Sequence, residues 1–451
     1  MDNKLVSSFY ENEAPAYAAA DNIRKIASYL DGFKLSQRKL IYTVFEKFPT
    51  GKIKTAQFAN FCAAFTNYNQ GEANLGGVAS NMAQDFCGSN NFPPLKGHGN
   101  FGNRLDTSPA ATRYTYISQG ECLKSIFNEV DRKLAPSQIY EGEEIEPKFF
   151  VPVVPFILLN GSDGLSTGFK QLIYSRNPKD IVDYIRKKLA GIEPRTKFLP
   201  WFSGFKGTVR FSSDNQIEIV GDIEKKNSTT YIIHEIPINI QYSKYCDFLE
   251  KLCDNGTIVN FKDKCDPKTN EICFEIKTTM AFSMKYKEDH EGLLNVFGLV
   301  KTLNENLNCI DENNRVREFT SIKEIMDSFI DFRLGYYNKR KRYLLETLKK
   351  ELEILVSKYI FGKGIIDGSI KVSNVKKDVV VEQLDKLDKV IKVDGSYNYL
   401  FNMGIISITS EKIEDLKKTI GDKKNLFMEI KNTEIKDMWL DDLKTLEKNL
   451  K

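Results

Sequence analysis

The chain has 451 residues, of which 41% are hydrophobic and 28% charged, so it is long enough for two or three domains with buried cores. No apolar run approaches the roughly 18 residues of a membrane span, and no basic segment followed by an apolar one opens the sequence, so we expect neither membrane insertion nor export. A net charge of +4 is too small to indicate nucleic-acid binding by itself.

The cysteine and histidine residues do not follow a metal-binding pattern. The eight cysteines contain no Cys-x-x-Cys pair and the three histidines stand far apart, so we expect no metal site in this chain. Unpatterned cysteines are typical of a reducing compartment. We therefore predict a cytoplasmic protein in which the cysteines are small buried hydrophobic residues.

Positive charge is concentrated near the start of the chain. Residues 24–60 contain eight Lys or Arg and only two acids, Asp31 and Glu46. Apolar residues at three- and four-residue steps predict a helix over 35–48, whose N-terminal end would offer basic side chains and free backbone N–H groups to phosphates. A solvated basic face is the alternative interpretation.

A second helix is predicted over 73–86, before a loop rich in Gly and Pro at 88–102. Short basic helices separated by turns suit a helix-turn-helix or winged-helix module that lies on DNA. Extended apolar runs at 149–154 and 156–159 then predict a strand-rich second domain. Further strands are predicted at 208–211, 216–220, 231–236 and 272–278.

After Thr320 the sequence becomes helical. Near its end, four- and three-residue steps of large apolar residues indicate a short coiled-coil seam, at Trp439, Leu443, Leu446 and Leu450. A plain helical bundle fits the same periodicity. No Gly-x-x-x-x-Gly-Lys-Ser/Thr phosphate loop is found, so we do not expect this chain to hydrolyse ATP.

Five motifs occur in order along the first part of the chain. They are Asp-Gly-Phe-Lys-x-x-Gln-Arg-Lys at 31–39, Met-Ala-Gln at 82–84, Gly-His-Gly-Asn-Phe-Gly at 97–102, Arg113-Tyr114, and Asn-Gly-Ser-Asp-Gly-Leu-Ser-Thr-Gly at 160–168. The series resembles the DNA-cleavage subunit of type IIA DNA topoisomerases, the gyrase A and topoisomerase IV family, and most closely the separately encoded medium subunit of large-phage enzymes. The resemblance spans nearly the whole chain.

This resemblance implies an α+β multidomain fold. The expected domains are a winged-helix DNA-cleavage domain at 1–147, a mixed α/β tower or shoulder domain at 148–320, and an antiparallel coiled coil with a terminal dimerisation globule at 321–451. It also implies a homodimer acting on double-stranded DNA, in the host cytoplasm or nucleoid if the protein is viral. No room is left for the wrapping C-terminal domain of gyrase, so relaxation and decatenation are the expected reactions.

The resemblance assigns individual residues as well. Tyr114 is expected to attack a DNA phosphorus and form a phosphotyrosine ester, with Arg113 and Arg24 as cations beside the phosphate oxygens. The other residues expected at DNA are Lys34, Arg38 and Lys39 on phosphates, Leu165 as an apolar wedge in a base step, Asn160 as a support of the wedge loop, and also Gln70 and His98. A core leucine is the alternative interpretation of Leu165.

The sharpest departure from the family is at Tyr68-Asn69-Gln70-Gly71, where both family histidines are missing. Gln70 can hydrogen-bond a phosphate but cannot titrate near neutrality. Two interpretations of proton transfer stay open. Either water and metal carry the proton, or His98, which occupies the usual glutamine of the glycine loop, has taken over.

The resemblance implies Mg²⁺ held by a Toprim domain, which we do not find in this sequence, and ATP; both are expected on a partner subunit. We therefore expect the DNA-cleavage and rejoining subunit of an ATP-dependent type II topoisomerase, in complex with an ATPase/Toprim subunit. The alternative is a DNA-binding architectural protein that kept the fold but lost catalysis with its histidines. A tyrosine recombinase fits less well, because no Arg-His-Arg constellation precedes a late tyrosine.

Overall fold

The computed structural model describes residues 8–212 and 216–449, apart from the side chains of residues 405 and 406. The chain divides into two compact units, one formed by residues 1–333 with 442–451 and the other by residues 334–441. Both the predicted cleavage segment and the predicted tower segment lie in the first unit, so the boundary between them at 147/148 stays a prediction. Helices and strands are mixed along the chain, and the α+β class is confirmed.

A π-helical turn at Phe9–Glu13 leads into the first helix. The helices up to residue 189 are α1 (Ala14–Lys25), α2 (Leu35–Lys47), α3 (Thr55–Phe65), α4 (Glu72–Met82), α5 (Leu123–Ile126), α6 (Glu129–Leu134), α7 (Phe156–Asn160) and α8 (Pro178–Leu189). The predictions of α2 and α4 are confirmed. The Gln37 Oε1 accepts a hydrogen bond of 2.9 Å from the backbone N–H of Lys34. This bond is one half of a capping box at the start of α2.

The first sheet has three antiparallel strands in the order β1-β3-β2, formed by β1 (Ile53–Lys54), β2 (Leu95–His98) and β3 (Tyr116–Gln119). Strand β2 lies within the segment that was predicted as a loop. The sequence did not predict it because its four residues form a strand only by pairing with β3, where His98 faces Tyr116. This sheet positions the Arg113-Tyr114 motif, since β3 begins two residues after Tyr114.

The core beneath α2 is a cluster of aromatic rings. The Phe33 centroid lies 5.5 Å from that of Phe127 and 5.1 Å from that of Phe156, and the Phe45 and Phe150 centroids are 5.6 Å apart. Such ring pairs contribute about 0.5–1.5 kcal/mol each beyond the burial of their area. The cluster joins the Asp31–Lys39 motif to the apolar run that follows residue 148.

The prediction of an extended chain at 156–159 is wrong, because these residues form the short helix α7. A continuous apolar run has the same periodicity in a buried strand and in a buried helix, so the sequence pattern does not separate them. Two hairpins flank this segment, formed by β4 (Gln138–Tyr140) with β5 (Glu143–Ile145) and by β6 (Ser162–Ser166) with β7 (Phe169–Ile173).

The segment after residue 200 is strand-rich, as predicted. Its strands are β8 (Thr208–Phe211), β9 (Ile217–Val220), β10 (Asp222–Lys225), β11 (Thr230–Glu235), β12 (Asn260–Asp263), β13 (Phe274–Lys277), β14 (Val300–Leu303), β15 (Asn308–Ile310) and β16 (Val316–Glu318). They form sheets in the orders β10-β11-β13-β12, β14-β9-β8 and β15-β16. The helices here are α9 (Tyr242–Asp254), α10 (Met280–Lys285) and α11 (His290–Val296), which pack on a core centred on Tyr245 and Phe274.

The long helix predicted after Thr320 is confirmed as α12 (Ile322–Ile366). It is followed by α13 (Lys377–Asp385), α14 (Asn398–Phe401), a 3₁₀ turn (Ile405–Ile408), α15 (Ser410–Asn432) and α16 (Ile435–Glu447). Phe361, Leu384 and Leu400 belong to a separate small core of the second unit. Of the predicted apolar seam, Trp439, Leu443 and Leu446 are buried, and Leu450 lies outside the described residues.

Candidate functional site

Tyr114 is 72% exposed, although its neighbours in the chain are firmly anchored. The N–H groups of Thr55 and Ala56 donate to the carbonyl oxygens of Thr115 and Thr112 at 3.0 and 3.2 Å, and the hydroxyls of Thr55 and Thr115 lie 2.8 Å apart. These two backbone N–H groups are the first of α3 and have no acceptor within the helix, so the turn supplies their hydrogen-bond partners. The phenol is therefore presented to solvent from a fixed backbone, which suits a nucleophile that must reach a large substrate.

Arg113 is exposed beside this phenol. Its guanidinium carbon lies 6.0 Å from the centroid of the Tyr114 ring, within the range of a weak cation–π contact. The structure thus brings the predicted nucleophile and one predicted cation together on one surface.

The glycine loop at 97–102 packs directly against this region. Gly97 leaves space for the Phe101 ring, which a Cβ at this position would approach to 2.6 Å. The side-chain amide of Gln84 donates to the carbonyl oxygens of Phe101 and Thr107 at 3.0 and 2.9 Å and so closes the loop.

His98 is half-buried at the end of β2, next to β3. Its Nε2 shares a hydrogen bond of 2.9 Å with the Ser118 hydroxyl. The residue therefore lies on the sheet whose strand β3 begins two residues after Tyr114, with one ring nitrogen already engaged within the protein.

Arg24 and Gln70 are brought together from separate elements. The Arg24 Nη1 donates to Gln70 Oε1 at 2.8 Å, and the Arg24 Nη2 donates to Asp21 Oδ1 at 2.8 Å. The Arg24 side chain remains 34% exposed, so part of the guanidinium faces solvent. The glutamine that replaces a family histidine therefore holds one of the predicted catalytic cations.

Asp21 belongs to the cluster of Arg24 and Gln70, and the sequence did not single it out. Although its burial by itself raises the pKa, hydrogen bonds from Lys25, Arg24 and Thr167 outweigh this effect and lower the pKa of Asp21 to about 2. The carboxylate is therefore charged at every physiological pH. The available signal was its position three residues before Arg24, a spacing at which side chains meet if the segment is helical.

Arg38 and Lys39 do not fit their predicted contact with DNA phosphates. Both are buried: Arg38 pairs with Asp31 at 2.6 Å, and Lys39 pairs with Glu146 at 2.8 Å. Burial raises the pKa of the Glu146 carboxyl despite the opposing effect of Lys39. A buried cation that is already paired with an internal carboxylate is not available to a DNA phosphate, and removal of either partner would leave a buried charge unpaired, so we reassign both residues as structural.

Lys34 is half-buried, and its ammonium donates to the carbonyl oxygen of Asp163 in the β6–β7 hairpin. Burial lowers the pKa of the Lys34 ammonium, against the effect of Asp163. This contact places Lys34 beside the loop that carries Leu165, where a DNA phosphate contact stays a prediction.

Leu165 is 72% exposed near the tip of the β6–β7 hairpin, so its interpretation as a core leucine is wrong. Asn160 precedes this hairpin and clamps the backbone of Phe92, donating to its carbonyl oxygen and accepting its N–H at 2.8 Å each. Asn160 therefore supports the base of the hairpin from within the protein.

Neither a metal-binding cluster nor a membrane-spanning helix is found in the described part of the chain. Over 8–212 and 216–449, no group of three or more His, Cys, Asp or Glu side chains is arranged to hold a metal ion. Among the same residues, no helix combines the length and apolarity needed to span a membrane.

Known proteins resemble the chain over nearly its whole length. The profile of the family described as the A subunit of DNA gyrase/topoisomerase IV matches residues 24–444. The mitochondrial DNA topoisomerase 2 of Dictyostelium discoideum is 31% identical over 450 residues, which are 98% of this chain and 35% of that protein. The DNA topoisomerase 2 of Invertebrate iridescent virus 6 is 30% identical over 453 residues, 98% of this chain and 39% of the viral protein.

A solved structure agrees with these relatives. The DNA-binding, cleavage and re-ligation domain of Plasmodium falciparum topoisomerase II superposes with a TM-score of 0.88 at 32% identity, covering 98% of this chain and 64% of that one. The chain spans only 35–39% of the length of the two curated relatives named above. With most of its length matched by the family profile, the chain belongs to the family of DNA gyrase/topoisomerase IV A subunits.

Proposed function

We propose that this chain is the DNA-cleavage and rejoining part of an ATP-dependent type II DNA topoisomerase, which opens a transient double-strand break for the passage of a second duplex. The observation that carries the proposal is the exposed Tyr114 with the Arg113 guanidinium beside it, on an anchored turn. Relaxation and decatenation are the reactions we assign to the assembled enzyme.

The covalent step balances without an external energy source. The Tyr114 phenolic oxygen forms a bond to the scissile phosphorus while the bond from phosphorus to the 3′ oxygen breaks, which leaves a 5′-phosphotyrosyl ester and a 3′ hydroxyl. The phenol gives up one proton and the leaving 3′ oxygen gains one. Resealing is the same exchange in reverse, so ATP is needed for movement of the protein and DNA.

The cations of this chain would act on the charge that develops at the phosphate. A tyrosine phenol has an ordinary pKa of about 10, so its reaction near neutrality depends on stabilisation of the phosphorane oxygens. Arg113 and the exposed part of Arg24 supply that positive charge, with Gln70 and Asp21 holding Arg24 in place. We assign His98 a structural role, because Ser118 already engages its ring.

Mg²⁺ and ATP are assigned to a partner ATPase/Toprim subunit. The described residues do not fit a metal site, since no cluster of potential ligands is present among them. We therefore expect the chain to cleave DNA only when bound to its partner.

We further assign three domain roles within a homodimer. Residues 1–147 act as a winged-helix cleavage domain, residues 148–320 as the tower or shoulder domain, and residues 321–451 as a coiled coil with a terminal dimerisation globule. The small core around Phe361, Leu384 and Leu400 supports the last assignment, because it gives the far end of α12 a globular unit of its own. Two protomers would present two Tyr114 residues, one to each DNA strand.

The test is detergent trapping of covalent DNA complexes by the chain bound to its ATPase/Toprim partner, with magnesium and plasmid DNA. We expect the wild type to trap DNA and Tyr114→Phe to trap none. Tyr10→Phe is the matched control, because Tyr10 is similarly exposed (66%) and lies outside the site. Trapping by Tyr114→Phe would show that the nucleophile is another residue.

One observation favours a second candidate, a DNA-binding architectural protein. The segment that carries histidines in the family has Asn69 and Gln70 here, so no side chain at these positions can carry a proton. A wild-type complex that binds DNA but traps no covalent product would support this candidate and overturn catalysis.

A further inference from the structure

Asp21 occupies an unusual place in α1. All twelve residues of this helix are described, and Asp21 is the only one that is buried, with a side chain 2% exposed. One of its oxygens, Oδ1, accepts from Arg24 at 2.8 Å and lies 3.0 Å from the Lys25 ammonium. A helix that buries only a carboxylate is using that charge to hold other groups, since burial of an ionised group is costly without partners.

The second oxygen of Asp21 binds the β6–β7 hairpin, far away in sequence. Oδ2 accepts both the backbone N–H and the hydroxyl of Thr167 at 3.0 Å, across a separation of 146 residues. The same hairpin approaches α1 closely at Gly164, where a Cβ would lie 2.4 Å from the Lys25 carbonyl oxygen. Thr167 lies two residues beyond the exposed Leu165, in the turn that joins the two strands.

A single carboxylate therefore connects the turn beside Leu165 with Arg24. From Arg24 the connection continues to Gln70 at 2.8 Å. These contacts are charge-assisted hydrogen bonds, which are shorter and stronger than neutral ones. Because the Asp21 side chain is short and buried, a shift of the hairpin must either displace the carboxylate or break its bonds to Thr167.

We propose that Asp21 is a positioning residue that couples the Leu165 hairpin to Arg24, so that engagement of the hairpin by DNA sets the position of the arginine at the cleavage site. This inference rests on the proposed function. Its consequence is that cleavage depends on DNA deformation at the hairpin, which favours duplexes that bend easily.

The experiment is a double-mutant cycle between Asp21→Asn and Leu165→Ala in the chain bound to its partner subunit, with magnesium and a saturating labelled duplex. The initial rate of covalent adduct formation, DNA affinity by anisotropy and DNA bending by energy transfer are measured together. We expect Asp21→Asn to lower the adduct rate about tenfold to a hundredfold, as expected when a catalytic group is misplaced by about 1 Å. Affinity and bending should change less than twofold.

The double-mutant cycle measures the coupling between Asp21 and Leu165 directly. If Asp21 carries the effect of the hairpin, Leu165→Ala should lower the adduct rate by a smaller factor in the Asp21→Asn background than in the wild type. Factors that multiply independently would overturn the inference. A purely structural role for Asp21 would instead lower DNA affinity and bending together with the adduct rate.

A second pair of variants covers a failure of Asp21→Asn to fold. Thr167→Val removes the hydroxyl donor with little change of volume, whereas Thr167→Ser keeps it. The valine variant should cleave more slowly than the serine variant, which should stay near wild type; equal rates would overturn the inference. If the wild type bends DNA but forms no adduct, the proposed function itself is overturned. If the wild type forms the adduct but the variants do not behave as expected, only the coupling through Asp21 is overturned.

Discussion

Replacement of Arg38 by Met should destabilise the fold rather than weaken a DNA contact. The Arg38 Nε donates to Asp31 at 2.6 Å, and its Nη2 donates to Asp31 at 3.1 Å and to the Phe33 carbonyl at 3.0 Å. Without the guanidinium, the fully buried Asp31 keeps only the N–H groups of Phe33 and Phe150, each at 3.0 Å. Methionine replaces the aliphatic stem, so the lost partner of a buried charge is the main change.

The size of the destabilisation follows from the burial of the Asp31 carboxylate. Breaking a buried ion pair by removing one partner costs about 3–5 kcal/mol, a large part of the roughly 5–15 kcal/mol that stabilises a folded domain. We expect urea unfolding, followed by circular dichroism, to show a decrease of this size in the free energy of unfolding of Arg38→Met.

DNA binding separates this structural role from a phosphate contact. The loss of one phosphate contact lowers the slope of log affinity against log salt by about 0.9. For Arg38→Met, at a temperature where it is folded, we expect the same slope as for the wild type. Arg113→Met is the matched control, because Arg113 is exposed, and it should lower the slope while changing the free energy of unfolding by less than about 0.5 kcal/mol. Unchanged stability of Arg38→Met together with a smaller slope would refute the reasoning.

Three other outcomes are expected. Gly32→Ala should destabilise the fold measurably in the same urea assay, because Gly32 has φ +73° and a Cβ would lie 2.5 Å from the Ile157 nitrogen. The lowered pKa of Asp21, about 2 against an ordinary 3.8, contributes stability above about pH 4 that is lost as the pH falls towards 2. Asp21→Asn should therefore lower the free energy of unfolding at pH 5–8 and flatten the acid limb of a stability–pH curve. His98→Gln should keep the adduct rate within about threefold of wild type if the histidine is structural; a drop of two orders of magnitude, the size of a lost general base, would give it the proton-transfer role.

The local pattern of the sequence was sufficient for the regular elements and for the family. Helix α2 and the strands β8, β9, β11 and β13 follow from the spacing of apolar residues, since each of these elements can be recognised within its own residues. Strands β10 and β12 were not predicted. The exposure of Leu165 agrees with the glycines around it in the sequence, which favour a projecting turn. The Arg113-Tyr114 pair was found because its motif and its neighbours keep their order along the chain.

Which basic residues face solvent was decided only by the tertiary structure. Arg38 and Lys39 belong to the same basic cluster as Lys34, yet Lys39 is neutralised by Glu146, 107 residues away, and Arg38 by Asp31 within the aromatic core. Asp21 likewise gains its role from Thr167, 146 residues away. The sequence determined which charges this protein carries, whereas burial and the partner of each charge depend on segments that meet only in the folded chain, because desolvation and ion pairing are properties of three-dimensional neighbours.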